Sequence, residues 1–324
     1  MPTPTDIRFR LNTGAEIPAL GLGTWQSSPG QVQAAVYHAL KVGYRHIDAA
    51  LCYQNEEEVG RGLAQAIDEG LVRREDVLVT TKLWNTYHRR VKEGLEASLE
   101  NLGLDYVDLY LMHWPVAMNP SGNHPLFPTL PDGSRDIDWF RSHVDTYKDM
   151  EKLLATGKTK AIGVSNYSLK YLQELLPRVT VVPAVNQIEN HPLLPQQEIV
   201  DFCREKGILV TAFSPLGSTG GPLMMNEAVV EVAKRKGVAA STVLLSWHAA
   251  RGSCVVAKSV TPSRIEANHH LIHLDEEDMA TIAKFIKEVV VSKRGFKRYV
   301  YPPFGVNFGF PDKMLKKTGT AFNC

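Results

Sequence analysis

Paired cysteines, a surplus of one charge and long apolar runs are all missing from this sequence. Its 324 residues carry 36 Lys and Arg against 35 Asp and Glu, a net charge of +1. We therefore expect neither a nucleic-acid partner nor a membrane partner, since both need a clustered basic surface, and no run reaches the about 18 apolar residues of a membrane span. The four cysteines form no CxxC pair and no signal peptide precedes the chain, which predicts a cytoplasmic protein with free thiols.

The composition is that of a folded globular protein. Hydrophobic residues make up 44% of the chain and charged residues 22%, so there is enough apolar surface to build a large core. A chain of this length suits either about two ordinary domains or one α/β barrel of about 200–250 residues with extensions.

Short apolar runs alternate with amphipathic helical segments along the whole chain. Eight runs are rich in Val, Ile and Leu without polar alternation, which is typical of strands buried on both faces. Stripes such as Val32, Ala35, Val36, Ala39 and Leu40 predict helices between them. The eight predicted strands are 18–25, 44–50, 77–83, 107–114, 160–166, 181–187, 208–214 and 253–259.

This alternation predicts a (β/α)8 barrel that forms one domain over residues 1–324. A doubly wound sheet is the alternative, and it usually opens with the dinucleotide-binding fingerprint GxGxxG. Residues 21–26 match the first two glycines of that fingerprint, at Gly21 and Gly23, but have Gln26 at its last position. Residues 6–20, with a turn at Asn12-Thr13-Gly14, predict a β-hairpin that caps the barrel bottom.

Two further segments are expected over the barrel mouth. The connection 115–145 is long and rich in proline, and long loops on one barrel face are usually functional. The tail 295–324 carries seven aromatic residues and is predicted to cover the same mouth.

Polar groups end nearly every predicted strand. The active site of such a barrel lies at the C-terminal ends of its strands, where an unpaired buried polar group costs several kcal/mol. Any one of these residues has about even odds of being a cap or a solvated loop residue; a whole ring of them on one face indicates a site. The ring consists of Asp48, Lys82, His113, Ser165, Asn166, Gln187, Ser214, Lys258 and Ser259.

Four side chains of this region suit proton transfer. Asp48 and Lys82 are the expected charge pair, because a buried lysine without a partner would lose its proton. Tyr53 follows Asp48 by five residues, and we expect the ammonium to lower the pKa of its phenol so that it can donate a proton near neutral pH. His113 is a second donor. The chain has neither a GxSxG elbow nor an HExxH motif.

Six motifs are spread along the chain: Gly43-Tyr44-Arg45-His46-Ile47-Asp48, Tyr53-Gln54-Asn55-Glu56, His113-Trp114-Pro115, Gly163-Val164-Ser165-Asn166, Asn190-His191-Pro192 and Lys258-Ser259-Val260-Thr261-Pro262 with Arg264. In these motifs, and over essentially its whole length, the chain resembles the aldo-keto reductase family, and most of all the fungal glycerol dehydrogenases and glyceraldehyde reductases within it. The resemblance implies a barrel that moves a hydride between NADP(H) and a carbonyl group.

The resemblance also implies roles for single residues. Tyr53 corresponds to the general acid, Lys82 to the group that tunes its pKa, Asp48 to the partner of Lys82, and His113 to the donor that orients the carbonyl oxygen. An Arg fork with a Lys charge favours the 2′-phosphate of NADP. The implied cofactor contacts are Gly23, Thr24, Asp48, Ser165, Asn166, Gln187, Phe213, Ser214, Leu216, Ser218, Lys258, Ser259, Arg264 and Asn268.

Three positions depart from the family pattern. Phe213 stands where many members have Tyr, so the stacking face is kept and the hydroxyl is lost. Ala257 replaces a Pro before the clamp lysine. Ala267 replaces a Glu that often contacts adenine, which weakens the expected adenine binding.

The expected reaction is NADPH-dependent reduction of small aldehydes or ketones, of glyceraldehyde, aldose or uronate type, reversible as polyol oxidation. A cofactor-binding barrel without enzymatic activity is the alternative. A metal-dependent hydrolase is a third hypothesis, but the sequence has no metal-ligand motif to support it. The family default is a monomer. The residues expected to line the substrate pocket are Trp25, Trp84, His113, Trp114, Tyr301 and Phe304.

Overall fold

The computed structural model describes residues 7–291 and 295–313. Eight parallel strands close into a barrel in the order β10-β3-β4-β5-β6-β7-β8-β9, so the predicted (β/α)8 architecture is confirmed. The barrel strands are β3 Leu20–Gly23, β4 His46–Asp48, β5 Leu78–Leu83, β6 Leu109–Met112, β7 Ile162–Ser165, β8 Val185–Glu189, β9 Leu209–Phe213 and β10 Cys254–Lys258.

Each barrel strand lies at a predicted run, with different ends. Most are shorter than the apolar run, although residues just outside a strand still bond to its neighbour, as the Ala49 amide does to the Thr80 carbonyl at 2.8 Å. β8 is shifted along the chain relative to the predicted run: it begins later than predicted and continues to Glu189, two residues past the predicted end. Gly21 in β3 serves packing rather than phosphate binding: a Cβ there would lie 2.6 Å from the imidazole of His46.

The predicted N-terminal hairpin is present as β1 (Arg8–Arg10) and β2 (Glu16–Pro18), which pair antiparallel. Ile17 is fully buried and packs with Leu109 and Cys254, which begin β6 and β10. The hairpin therefore closes the end of the barrel where the strands start. Residue 6 of the predicted hairpin lies outside the described residues.

Helices surround the barrel, and their buried stripes are the ones the sequence predicts. Val32, Val36 and Leu40 of α1 face the core, and Gly103 ends α3 in the left-handed conformation at φ 63°. The helices are α1 Val32–Lys41, α2 Glu56–Asp68, α3 Val91–Leu102, α4 His143–Leu153, α5 Leu169–Leu175, α6 Gln197–Glu205, α7 Glu227–Lys236, α8 Ala240–Ala250, α9 Pro262–His269 and α10 Glu276–Val291.

The long connection and the tail both cover the ends of the strands. The connection spans 115–142, because α4 already begins at His143, and its Leu126 carbonyl accepts a hydrogen bond from the Trp84 indole at 2.6 Å. In the tail, Phe304 and Phe308 pack against Trp114. The expected cover is confirmed over 295–313; residues 314–324 of the tail lie outside the described residues.

No described helix is long and apolar enough to cross a bilayer. The three described cysteines, Cys52, Cys203 and Cys254, form no disulfide.

Candidate active site

A buried ion pair stands at the centre of the barrel mouth. Asp48 is the last residue of β4, and Lys82 lies in β5, so the parallel ladder brings the two side chains together. The Lys82 ammonium lies 2.6 Å from Asp48 Oδ1 and 2.9 Å from the carbonyl of Ala49. It is completely buried, and a charge at that depth is tolerable only with such partners.

Tyr53 is the third member of this group, after Asp48 and Lys82. It ends a single 3₁₀ turn, Leu51–Tyr53, that follows β4. Its hydroxyl lies 3.3 Å from the Lys82 ammonium nitrogen, and that ammonium lies 5.0 Å from the centroid of the phenol ring. The sequence expectation that Tyr53 and Lys82 meet over the mouth agrees with this geometry.

The expectation that the Lys82 ammonium lowers the pKa of Tyr53, however, is wrong for this arrangement. Burial, followed by the nearby Asp48 carboxylate, raises the pKa of Tyr53 well above its usual value of 10. The Lys82 charge is largely balanced by Asp48 at 2.6 Å, so it does not offset these two effects in the resting site. Tyr53 is thus a neutral phenol that holds its proton until a partner takes it.

His113 follows β6 directly and lies beside Tyr53. Their ring centroids are 5.6 Å apart, nearly perpendicular. Burial, and then the Lys82 charge, lowers the pKa of His113 well below 6.5, so the imidazole is neutral. Its Nδ1 lies 3.5 Å from the Cys52 thiol, whereas its Nε2 has no hydrogen-bond partner in the described part of the chain.

Three polar residues of this site come from β8 and from the end of β7. The Gln187 amide donates from Nε2 to Asp48 Oδ2 at 2.7 Å. The Ser165 hydroxyl donates to the Gln187 carbonyl, and the Asn166 amide donates to the His113 carbonyl at 2.9 Å. Among the described residues, nothing donates to the side-chain oxygens of Asn166 and Gln187, which are therefore available to bind an amide.

Backbone strain concentrates around this mouth. Asn166 follows β7 with φ 62°, and Ser214 follows β9 with φ 52°. Non-glycine residues seldom adopt this left-handed region, and such strain clusters at binding sites. Every non-glycine residue with positive φ in the described chain lies in a segment that follows a barrel strand: Gln26, Gln54, Asn166, Gln196, Ser214 and Ser218.

A half-buried segment follows β9. Phe213 ends the strand only partly buried, so one ring face remains available for stacking. Leu216 and Ser218 are also half-buried in the loop that follows.

Two cations stand at the outer edge, at the end of β10 and in α9. Lys258 donates to the Gln26 carbonyl at 3.0 Å, and burial lowers the pKa of its ammonium. Arg264 is exposed. Neither cation pairs with a carboxylate within the described ranges, which leaves both available to bind an anion.

The remaining expected cofactor residues have mixed environments. The Thr24 hydroxyl is occupied, since it donates to the Asp48 carbonyl at 2.9 Å, and Gly23 pairs beside Asp48 in the ladder. Ser259 accepts from the Thr261 amide at 3.2 Å. Asn268 is buried in α9.

Aromatic rings line the barrel mouth above His113; Trp84, Phe304 and Trp114 form what we call the aromatic wall. The Trp84 ring lies 5.3 Å from His113 and 6.3 Å from Phe304, and Phe304 lies 5.7 Å from Trp114. Trp25 is 36% exposed and makes no ring contact with this group in the described part of the chain. Tyr301 reaches the group through Phe308, whose ring lies 5.7 Å from Tyr301 and 5.1 Å from Trp114. The structure therefore assembles part of the expected pocket.

Sequence reasoning missed three residues of the site. Phe127, from the long connection, packs 5.3 Å from Trp84, and Cys52 contacts His113; neither has a local signal. Glu189 is fully buried and accepts from the backbone amides of Tyr299 at 2.7 Å and Val300 at 2.8 Å, so it anchors the tail. Its signal was available, because it lies two residues beyond Gln187 on the same face of β8.

A family model described as the aldo/keto reductase family matches residues 19–287. A D-galacturonate reductase from Hypocrea jecorina is 63% identical over 305 residues, which cover 94% of this chain and 98% of that protein. A glycerol 2-dehydrogenase (NADP(+)) from Saccharomyces cerevisiae is 48% identical over 308 residues, 91% of this chain and 95% of that protein.

Among solved structures, the aldose reductase from Schistosoma japonicum superposes with a TM-score of 0.82 at 38% identity. The match covers 91% of this chain and 94% of that one. The family and the fungal kinship expected from the motifs are thereby confirmed.

Proposed function

The chain belongs to the aldo/keto reductase family, and on that premise we propose that Tyr53, Lys82, Asp48 and His113 reduce the aldehyde group of small hydroxylated substrates, uronates above all. The enzyme is an oxidoreductase that interconverts carbonyl and alcohol groups with NADP(H). The observation that carries the assignment of the residues is the Lys82 ammonium, which lies between Asp48 and Tyr53 at 2.6 and 3.3 Å.

Tyr53 is the proton donor of this scheme. Bound NADPH supplies the hydride to the carbonyl carbon. The neutral phenol donates its proton to the carbonyl oxygen as negative charge develops there. Lys82 then stabilises the resulting phenolate from 3.3 Å, and Asp48 keeps Lys82 charged and in place. His113, neutral at physiological pH, donates a hydrogen bond to the same oxygen.

The residues of the mouth fit the cofactor. The free side-chain oxygens of Asn166 and Gln187 suit a carboxamide, and the open ring face of Phe213 suits stacking on a flat heterocycle. Lys258 and Arg264, which lack carboxylate partners among the described residues, suit the 2′-phosphate that distinguishes NADP from NAD. The segment Ser214, Leu216 and Ser218 would lie along the pyrophosphate. The other expected contacts are Ser165 at the carboxamide, Gly23 and Thr24 at the ribose, Ser259 at the 2′-phosphate and Asn268 at the adenine.

Two observations support a uronate as substrate. The relative from Hypocrea jecorina, 63% identical, is named a D-galacturonate reductase. The aromatic wall also ends in a cation: the Arg135 guanidinium lies 5.4 Å from the centroid of Phe127, which packs on Trp84. Arg135 is half-buried, and its Nη1 donates to the Phe127 carbonyl at 2.9 Å. Because Arg135 makes no ion pair within the described ranges, its remaining N–H groups are available to a substrate carboxylate.

A panel of substrates tests this function. The purified protein is assayed with NADPH and NADH against D-galacturonate, D-galactose and D-glyceraldehyde, and in reverse with NADP+ and glycerol. We expect NADPH oxidation with all three aldehydes and the highest kcat/KM for galacturonate. Galactose is the matched control, since it differs from galacturonate in the carboxylate. Equal kcat/KM for these two sugars would refute the uronate preference. If no substrate is turned over, the result favours the alternative, a cofactor-binding barrel without enzymatic activity.

We further propose a single-domain monomer that works in the cytoplasm. The unpaired Cys52, Cys203 and Cys254 support a reducing compartment. Light scattering after size-exclusion chromatography tests the oligomeric state, and a mass well above 36.0 kDa would contradict it.

A further inference from the structure

The same 3₁₀ turn that carries Tyr53 presents a second group to the site. Cys52 precedes Tyr53 in the turn Leu51–Tyr53, and its sulfur lies 3.5 Å from Nδ1 of His113. This is within hydrogen-bond distance for sulfur, which is larger than oxygen. One turn of backbone thus places the phenol against Lys82 and the thiol against His113.

The thiol is the sole side-chain partner that the described residues offer to the His113 ring. Trp84 packs on that ring at 5.3 Å, but its indole N–H is used by the Leu126 carbonyl at 2.6 Å. Tyr53 meets the ring edge to face and makes no hydrogen bond with it. Nδ1 therefore depends on Cys52, and Nε2 remains for the substrate.

The direction of this hydrogen bond decides what His113 can do. A neutral imidazole carries one proton, so one nitrogen donates and the other accepts. If the ring donates from Nδ1 to sulfur, Nε2 has no proton and repels a carbonyl oxygen. If the thiol donates to Nδ1, the proton lies on Nε2 and is available to the substrate.

The chemistry of the two groups favours the second arrangement. Burial raises the pKa of the Cys52 thiol, although Lys82 opposes the shift, so the sulfur keeps a proton to donate. An imidazole nitrogen is a strong acceptor, whereas a neutral thiol is a weak one.

We propose that Cys52 is a positioning residue that donates its S–H to Nδ1 of His113 and so holds the ring proton on Nε2, where the carbonyl oxygen of the substrate binds. This inference rests on the proposed function, because His113 matters to turnover only if the chain reduces carbonyl groups. Cys52 is not one of the four residues to which we assign the proton transfer.

The tautomer can be measured directly by ¹⁵N NMR. Full-length protein labelled with ¹⁵N-histidine is recorded alone and with NADPH, and His113→Gln identifies the His113 signals. In the wild type we expect an unprotonated Nδ1 and a protonated Nε2. Cys52→Ser, which keeps an O–H donor, should give the same pattern. Cys52→Ala should give a tautomer mixture or a protonated Nδ1.

Kinetics with the same variants separate positioning from general structural damage. Losing one hydrogen bond between neutral groups should lower kcat of Cys52→Ala about three- to tenfold, with a smaller change in the aldehyde KM and most of kcat restored in Cys52→Ser. Cys203→Ala is the matched control, since Cys203 is a buried thiol whose side-chain contact is Asn186, and its kcat should match the wild type.

Two results would overturn the proposal: a wild-type His113 protonated on Nδ1, or a Cys52→Ala protein with unchanged ¹⁵N shifts and unchanged kcat. If Cys52→Ala does not fold, the wild-type spectrum still decides. If the wild type turns over none of the aldehydes, the proposed function fails, whereas the tautomer measurement still tests the contact itself.

Discussion

The hydroxyl of Tyr53 and the ammonium of Lys82 lie 3.3 Å apart, and they reach this distance from different parts of the barrel. Lys82 lies in β5, whereas Tyr53 is carried by the turn after β4. Because Asp48 takes the same ammonium at 2.6 Å, the phenol stays neutral in the resting site, and Lys82 acts mainly once Tyr53 has lost its proton.

Removing the phenol's hydroxyl should stop turnover while cofactor binding persists. A general acid contributes about 10²- to 10⁴-fold, so we expect Tyr53→Phe to lose at least about a hundredfold in kcat, measured as NADPH oxidation with D-glyceraldehyde. NADPH affinity, measured by fluorescence titration, should stay near the wild-type value. Tyr106→Phe is the control, because Tyr106 packs under Lys160 away from the mouth. Retained activity in Tyr53→Phe would remove it from the mechanism.

The two reaction directions should respond differently to pH. Burial and Asp48 raise the pKa of Tyr53 well above 10, so the proton donor needed for reduction is present throughout the neutral range. Oxidation needs the ionised phenol, whose fraction grows about tenfold per pH unit below that pKa. We therefore expect kcat/KM to be nearly flat for aldehyde reduction and to rise with pH for polyol oxidation, both measured from about pH 6 to 9.5. A loss of reduction activity with a midpoint near pH 8 would show that Lys82 outweighs burial.

The outer cations should decide between the two nicotinamide cofactors. Charge-assisted hydrogen bonds are worth about 1.5–3 kcal/mol, so Lys258→Ala or Arg264→Ala should raise the NADPH KM about ten- to a hundredfold and change the NADH KM little. Lys92→Ala, on the exposed face of α3, is the control. Equal increases for both cofactors would mean that these residues do not bind the 2′-phosphate.

Glu189 should hold the tail in place over the pocket. Its carboxylate accepts from two consecutive tail amides and from His191 at 3.0 Å, and a glutamine would turn an N–H toward one of these donors. We expect Glu189→Gln to raise the aldehyde KM several-fold with a smaller effect on the NADPH KM. Glu198→Gln, on the exposed side of α6, serves as the control. An unchanged aldehyde KM would mean that the tail does not shape the pocket.

A buried carboxyl group behind the site should make stability depend on pH. Burial raises the pKa of Glu56 from 4.5 to about 7, although Thr81, Asn101 and Ser98 oppose the shift. The folded state thus binds this proton more tightly than the unfolded state, so the contribution is complete below about pH 4.5 and is lost as pH rises through 7. The full effect is about 3 kcal/mol at most.

Glu56→Gln removes this titration. Its melting temperature should fall less between about pH 5.5 and 8 than that of the wild type, as measured by calorimetry. Glu57→Gln changes an exposed neighbour and should behave as the wild type does. Parallel curves for Glu56→Gln and the wild type would contradict the raised pKa.

Much of the site could be predicted from the order of residues. Asp48, Gln187 and Phe213 lie at or near the ends of apolar runs, and parallel strands in a barrel bring those ends to one face. Trp25 and Tyr301 were expected in the pocket on residue type alone. Trp25 is instead 36% exposed, and Tyr301 reaches the aromatic wall through the ring of Phe308, because residue type does not determine how a loop folds.

By itself, the sequence determined the barrel and the face that carries the candidate site, since these follow from the period of the apolar runs and from the polar residues that end them. It also pointed to the four residues proposed for proton transfer. The tertiary structure alone decided the neutral state of Tyr53, the contact of Cys52 with His113 and the anchor from Glu189 to the tail. These depend on burial and on distances between segments that are far apart in the chain: Glu189 meets Tyr299 across 110 residues. No local pattern encodes such a distance, because it is set by how the loops pack once the barrel has closed.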